Sequence, residues 1–123
     1  MSQADGEIQF INKTHDLEKL CGELQGKSWI AVDTEFFREK TYKPQLCLIQ
    51  IATDEHLACI DPLALDSIDA FLDILFDRRI TKVFHAAGQD LEIFYWMRGS
   101  VPGPVFDTQI AAPLLGYNEQ IGY

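Results

Sequence analysis

No apolar run in this 123-residue chain approaches the roughly 18 consecutive positions that a membrane-spanning helix needs. The opening MSQADGEIQF also lacks the basic stretch and apolar core of a secretory leader. The expectation is a cytoplasmic protein with no membrane partner. Basic residues are scarce, with 10 Lys and Arg against 19 Asp and Glu, a net charge of −9. Such a balance argues against a passive nucleic-acid binder that works by counterion release, which should be basic. It does not exclude a metal-dependent nuclease, whose acids divalent cations neutralise. The cysteines number three, and no CxxC pair occurs. Cys21, Cys47 and Cys59, set among apolar neighbours, read as reduced, buried small side chains rather than a disulfide framework or a metal site. There is no repeat, low-complexity tract or Gly/Ser/Pro-rich linker. What remains is a 47% apolar chain of one domain, long enough to bury a single core.

Along the chain, a short strand is expected at Ile8–Ile11. A helix follows, with Thr14 as N-cap, Leu17, Leu20, Cys21 and Leu24 at helical spacing, and Gly26 as its stop. Trp29–Asp33 reads as a strand buried on both faces, and Arg38–Pro44 as a polar connection. Leu46–Thr53 and His56–Ile60 suggest a hairpin across Asp54 and Glu55. Ile68, Phe71, Leu72 and Leu75 mark a helix capped near Asp66 or Ser67, with Arg78 and Arg79 at its favourable end. Ile80–His85 is a further strand. Gly88–Arg98 is a helix with Leu91, Phe94 and Tyr95 on one face. Val105–Phe106 is a short strand and Thr108–Leu115 a last helix. Strands alternating with helices, plus one hairpin, give an α/β fold with a mixed sheet covered by helices on both sides.

Asp33 and Glu35 close the first long apolar run. Residues two apart in a strand share a side, about 6.5–7 Å apart along the backbone. Carboxylates so spaced can hold two divalent ions about 3.5–4 Å apart, an arrangement that displaces a phosphodiester in line. Oxygen ligands without His or Cys favour Mg²⁺ or Mn²⁺ over Zn²⁺. The alternative is that Asp33 ends the strand and Glu35 faces water. Asp90 falls in the first turn of the helix after the strand ending at His85, at the sheet edge where sites gather. Its alternative role is to stabilise the helix dipole.

Taken together, VDTEFFREKTYKPQLCLIQIAT, IDPL, KVFHAAGQDLEIF and FDTQIAAPLLGY resemble the exonuclease domain of the ribonuclease D family, the DEDDy type of the DEDD superfamily of 3′→5′ exonucleases. The resemblance covers most of the chain from Trp29 onward. It implies a ribonuclease-H-like fold, and Asp33, Glu35 and Asp90 as catalytic ligands of two Mg²⁺ or Mn²⁺ ions. It further implies release of 5′-nucleoside monophosphates from RNA 3′ ends, tRNA precursors among them. The family's third motif, Tyr-x-x-x-Asp, supplies a fourth acid and a tyrosine that orients the attacking water. It is absent here: Leu46, Gly99 and Ile121 stand four residues after Tyr42, Tyr95 and Tyr117. Residues 1–123 are therefore expected to form the N-terminal part of an exonuclease domain, without its third motif and C-terminal helical domains. Such a part should be inactive or nearly so alone, bind Mg²⁺ weakly, and leave one sheet face uncovered and available for self-association.

Around these acids, Arg38, Lys40 and Lys43 are placed to hold an RNA backbone, or else to line a solvated loop. One of Phe36 and Phe37 is expected to stack on the terminal base and the other to join the core, Phe36 being the candidate for stacking. His85 either approaches substrate from its strand end or is a hydrogen-bonded structural residue. Asp107 reads as a helix N-cap, Glu92 as solvent-facing, and His15 and His56 show no ligand partners. Competing readings are a non-catalytic RNA-binding or interaction module of the same fold, a DNA-directed exonuclease of the same chemistry, and a metal-binding domain with no nucleic-acid role.

Overall fold

In the computed structural model, residues 7–38 and 44–116 are described. The apolar run that starts at Trp29 builds the central strand. The elements are β1 (Gln9–Ile11), α1 (Thr14–Leu24), β2 (Trp29–Phe37), β3 (Gln45–Ala52), β4 (Leu57–Ile60), α2 (Asp69–Leu75), β5 (Thr81–Phe84), α3 (Gly88–Arg98), β6 (Val105–Asp107) and α4 (Thr108–Leu114). The strands form one six-stranded sheet in the order β1-β4-β3-β2-β5-β6. Pairing is antiparallel for β2–β3 and β3–β4, and parallel for β1–β4, β2–β5 and β5–β6. The expected hairpin and mixed α/β sheet are both present. Among the described residues no helix is long and apolar enough to cross a membrane.

Burial alternates strictly along β2. Ile30, Val32 and Thr34 are buried, while Trp29, Ala31, Asp33 and Glu35 on the other side are half-buried or exposed. The strand is thus buried on one face rather than two. Four successive apolar residues conceal that period, and Trp29 is 41% exposed. On the buried face Val32 lies opposite Ile51 and Thr34 opposite Ile49, and these join Leu17, Leu20, Phe71, Leu75 and Phe94 from the helices in one core. A bulge after Glu35 pairs Phe36 with Leu46 and returns Leu46 to that core.

The opposite face is open. Register sets Phe10 beside Cys59, Gln50 between Cys59 and Asp33, and Val83 between Ala31 and Phe106. Phe10, Trp29, Leu57 and Phe106 are exposed there. The uncovered face agrees with expectation; helices on both faces are not found among the described residues, since α4 buries no side chain and the buried residues of α1 and α2 lie in the single core.

Local details differ where tertiary contacts override the pattern. Lys13, in extended conformation, takes the α1 N-cap position, and Thr14 is already helical. Ile68 rather than Asp66 or Ser67 takes the α2 N-cap position, with no side-chain cap; Ser67 Oγ accepts from the Asp69 N–H in the turn before the helix. Arg79 pairs with Asp77 instead of the end of α2. In α3 the buried face is Asp90, Ile93 and Phe94, with Tyr95 half-exposed. Cys21 is buried, whereas Cys47 and Cys59 are only partly so; all three are free thiols.

Lys82 is a buried cation in β5 that hydropathy alone does not anticipate. Its ammonium donates to the carbonyls of Asp77 and Ile80 at 2.6 Å and of Gly103 at 3.1 Å. Burial pushes its pKa down to about 8. Below pH 8 folded and unfolded chains both carry this proton, and the burial cost is present in full. As pH rises from about 8 toward the ordinary value of 10.5, only the unfolded chain keeps the proton, so folding gains. Urea unfolding should therefore show wild type gaining stability relative to Lys82→Met across that interval; a constant difference contradicts the burial cost.

Candidate functional site

The site forms because β2 outruns β5. Parallel pairing between them covers Trp29–Ala31 only. Beyond it, the turn from β5 into α3 comes against β2 and delivers Asp90, 6% exposed, to Thr34. The Thr34 hydroxyl donates to Asp90 Oδ1. Asp33, one residue before it and on the open face, accepts from the Thr34 N–H through Oδ1 at 3.0 Å. Thr34 thus touches both acids.

Burial above all raises the Asp90 pKa, and the charges of Asp33 and Asp107 add to the rise. The hydroxyl of Thr34 and a backbone N–H oppose it without cancelling it. Asp33 and Asp90 therefore stand in each other's field. Glu35 shares the Asp33 side of β2, as the period of two requires, but is exposed. Among the described residues no three His, Cys, Asp or Glu side chains are grouped to hold a metal ion. Asp33 lies near enough to Asp90 for its charge to act on it, and Glu35 does not complete a trio with them. The donor chemistry nonetheless suits a hard divalent cation. The candidate ligands are carboxylates alone, and the charge of Asp90 is desolvated and repelled in a way that a bound cation relieves.

The turn that carries Asp90 is tied down from the far side. Asp107 accepts from the N–H of Ala86 at 2.9 Å, Ala87 at 2.8 Å and Gln109 at 2.9 Å. The Gln109 bond makes Asp107 the α4 N-cap, as its place in FDTQ predicts. Burial pushes the Asp107 pKa up, but the three N–H donors and His85 prevail and hold it below the ordinary value. His85 Nδ1 lies 2.8 Å from Thr108 Oγ1, which donates to the Phe84 carbonyl at 3.2 Å. His85 is thus a hydrogen-bonded residue of the turn.

Of the proposed RNA contacts, Lys40 and Lys43 lie outside the described residues. Arg38 donates to Glu92 Oε1 at 2.9 Å, and its guanidinium sits 5.9 Å from the Phe36 ring centre. Glu92 is exposed but paired. Phe36 packs partly against the core, and Phe37 is the exposed ring, at 58%. His56 pairs with Glu23 and Thr53. Thr34 is the participant that sequence reasoning missed. Its signal was a lone hydroxyl at the next core-facing position after Ile30 and Val32.

A family model described as 3′-5′ exonuclease matches residues 8–123. The ribonuclease D of Zymomonas mobilis is 53% identical over 117 residues, covering 93% of this chain and 30% of that protein. Among solved structures, Escherichia coli RNase D, described as an exoribonuclease involved in structured RNA processing, superimposes with a TM-score of 0.86 at 43% identity, covering 95% of this chain and 31% of that one. Trypanosoma brucei RNase D in complex with RNA U12 gives 0.72 at 26% identity, covering 84% and 38%. The chain thus spans about 30% of the length of the Zymomonas mobilis protein.

Above its folded pKa, Asp90 carries a buried charge that costs stability. Below the ordinary carboxylate range both folded and unfolded chains are protonated and the cost vanishes. Asp90→Asn should melt higher than wild type at pH 7 in EDTA, with the gain shrinking on acidification through the raised pKa. A lower melting temperature for the variant at pH 7 contradicts this.

Proposed function

The chain belongs to the 3′-5′ exonuclease family, and from that premise we propose that it is the N-terminal part of the exonuclease domain of a longer ribonuclease D-like hydrolase, one that trims RNA 3′ ends, including tRNA precursors. The observation that supports this reading is a desolvated Asp90, bonded to Thr34 of β2 and lying in the field of Asp33, the residue before it. Asp33, Glu35 and Asp90 would hold Mg²⁺ or Mn²⁺. When bound, two such ions supply the charge neutralisation that in-line displacement at phosphorus requires. The overall reaction adds water across the last phosphodiester, leaving a 3′-hydroxyl on the shortened RNA and releasing a 5′-nucleoside monophosphate.

The chain's own residues have distinct parts in this reading. Asp33 and Asp90 gather negative charge where a neutral site would not attract a cation, and Thr34 orients the Asp90 carboxylate. Arg38, Lys40 and Lys43 hold the RNA backbone, and a phosphate takes Arg38 from Glu92, an exchange that costs little because an exposed ion pair is weak. Phe36, though partly packed on the core, or the exposed Phe37 supplies an aromatic face for the terminal base, and His85 keeps the turn between β5 and α3 in shape. The exposed apolar residues of the open sheet face support self-association there.

No Tyr-x-x-x-Asp occurs in residues 1–123, so the water-positioning tyrosine and the fourth acid are not supplied by this sequence. That absence favours a second reading, a non-catalytic RNA-binding or interaction module, although the −9 charge argues against RNA binding by counterion release alone. A single-turnover assay with 5′-labelled RNA and Mg²⁺ separates them. Stepwise shortening should be slower than in a ribonuclease D with the motif by about 10²–10⁴-fold, the usual contribution of a positioned proton-transfer group. What remains should require Mg²⁺ and vanish in Asp33→Asn. Full-rate trimming overturns the incomplete site; RNA retention independent of metal, with no shortening, favours the binding module.

A further inference from the structure

We propose that Asp107 is a positioning residue for Asp90, locking the turn between β5 and α3 and so setting where the Asp90 carboxylate stands against Asp33. The proposal rests on the reading of Asp33 and Asp90 as metal ligands. Asp107 does more than cap α4. Of its three N–H donors only Gln109 belongs to that helix; Ala86 and Ala87 belong to the turn. Capping alone would have little to secure, since α4 is seven residues long and buries no side chain. The turn, by contrast, needs an external hold.

Ala86 has φ 59°, a left-handed conformation that a residue with a Cβ seldom adopts unless its surroundings impose it. Ala87, at the α3 N-cap, has no side chain able to cap and makes no such bond. Asp107 satisfies both N–H groups at once, one with each carboxylate oxygen. Leu91 N–H then bonds the Ala87 carbonyl at 2.9 Å to begin α3, and Asp90 lies within that first turn. A shift at Ala86 or Ala87 therefore moves the start of α3 and carries Asp90 with it. Thr34 fixes the other end of the arrangement, at the carboxylate itself.

The test separates cap from clamp. In Asp107→Ser, a hydroxyl still accepts from Gln109 as a good N-cap but cannot hold Ala86 and Ala87 together. Asp107→Asn keeps one acceptor oxygen and should behave as an intermediate. With isotope-labelled full chain, the readout is the Mn²⁺ concentration that half-broadens the Asp33 and Asp90 amide resonances, a measurement that works for weak sites and needs no turnover. The same spectra report whether α3 and α4 are folded. Asp107→Ser should require about tenfold more Mn²⁺ than wild type, in the range found when a metal site loses an outer support. Asp107→Asn should require less than Ser does. Folded variants with wild-type Mn²⁺ response, alongside an Asp90→Asn control that loses it, overturn the clamp and leave the metal site standing. An Asp90→Asn control that broadens like wild type overturns the metal site, and the clamp's role with it.

Discussion

Asp33 and Asp90 repel one another, and the Asp90 carboxylate does so from a place with little water to screen it. A pair of like charges held this way is a cost that a fold carries only if its scaffold leaves the groups nowhere else to go. Here the scaffold is the mismatch in length between β2 and β5. β2 continues for six residues after Ala31, its last residue paired with β5, and the turn into α3 lies beyond that pairing. The strand supplies Asp33, the helix supplies Asp90, and Thr34 is bonded to both, through its backbone N–H to the first and its hydroxyl to the second.

The two sides of the sheet divide the labour. The buried face, through Ile30, Val32, Ile49 and Ile51, supplies the core that Ile93 and Phe94 of α3 also join. The open face carries Asp33 and Glu35 outward, next to Gln50 and a spread of exposed apolar residues. Because side chains alternate, the core and the acids follow from the same strand geometry, and a one-residue slip in register would bury the acids and expose Val32. Stability and site are for this reason hard to alter separately along β2. Lys82 shows the same economy in β5, where the backbone carbonyls of Asp77 and Ile80 after α2 and of Gly103 before β6 take the place of water around a buried ammonium.

Much of this was legible in the sequence. The period of two brings Asp33 and Glu35 to one side, and α3 has the expected bounds Gly88–Arg98, though its buried face is Asp90, Ile93 and Phe94 rather than Leu91, Phe94 and Tyr95. The helix N-cap at Asp107 was also readable, because capping is local chemistry. What was hidden lies between distant positions. Thr34 and Asp90 are 56 residues apart and Arg38 and Glu92 54, and no local pattern announces such pairs. The one-sided burial of β2 was hidden for a different reason: Trp29, Ile30, Ala31 and Val32 are all apolar, so hydropathy carries no alternation to read. The resemblance to the 3′→5′ exonucleases bridges part of that gap by leading one to expect Asp90 beside Asp33, but the bonds from Ala86 and Ala87 to Asp107 appear only once β6 and the β5–α3 turn are seen side by side.

The central claim is that Asp33 and Asp90 are kept close in order to share a divalent cation. Anomalous diffraction from crystals of this chain soaked in Mn²⁺, with data collected at the manganese edge, tests it most directly. The account predicts a peak within coordination distance of both carboxylates, with Thr34 still bonded to Asp90. Crystals saturated with Mn²⁺ that show no peak there, or only peaks on other surface acids, would contradict it.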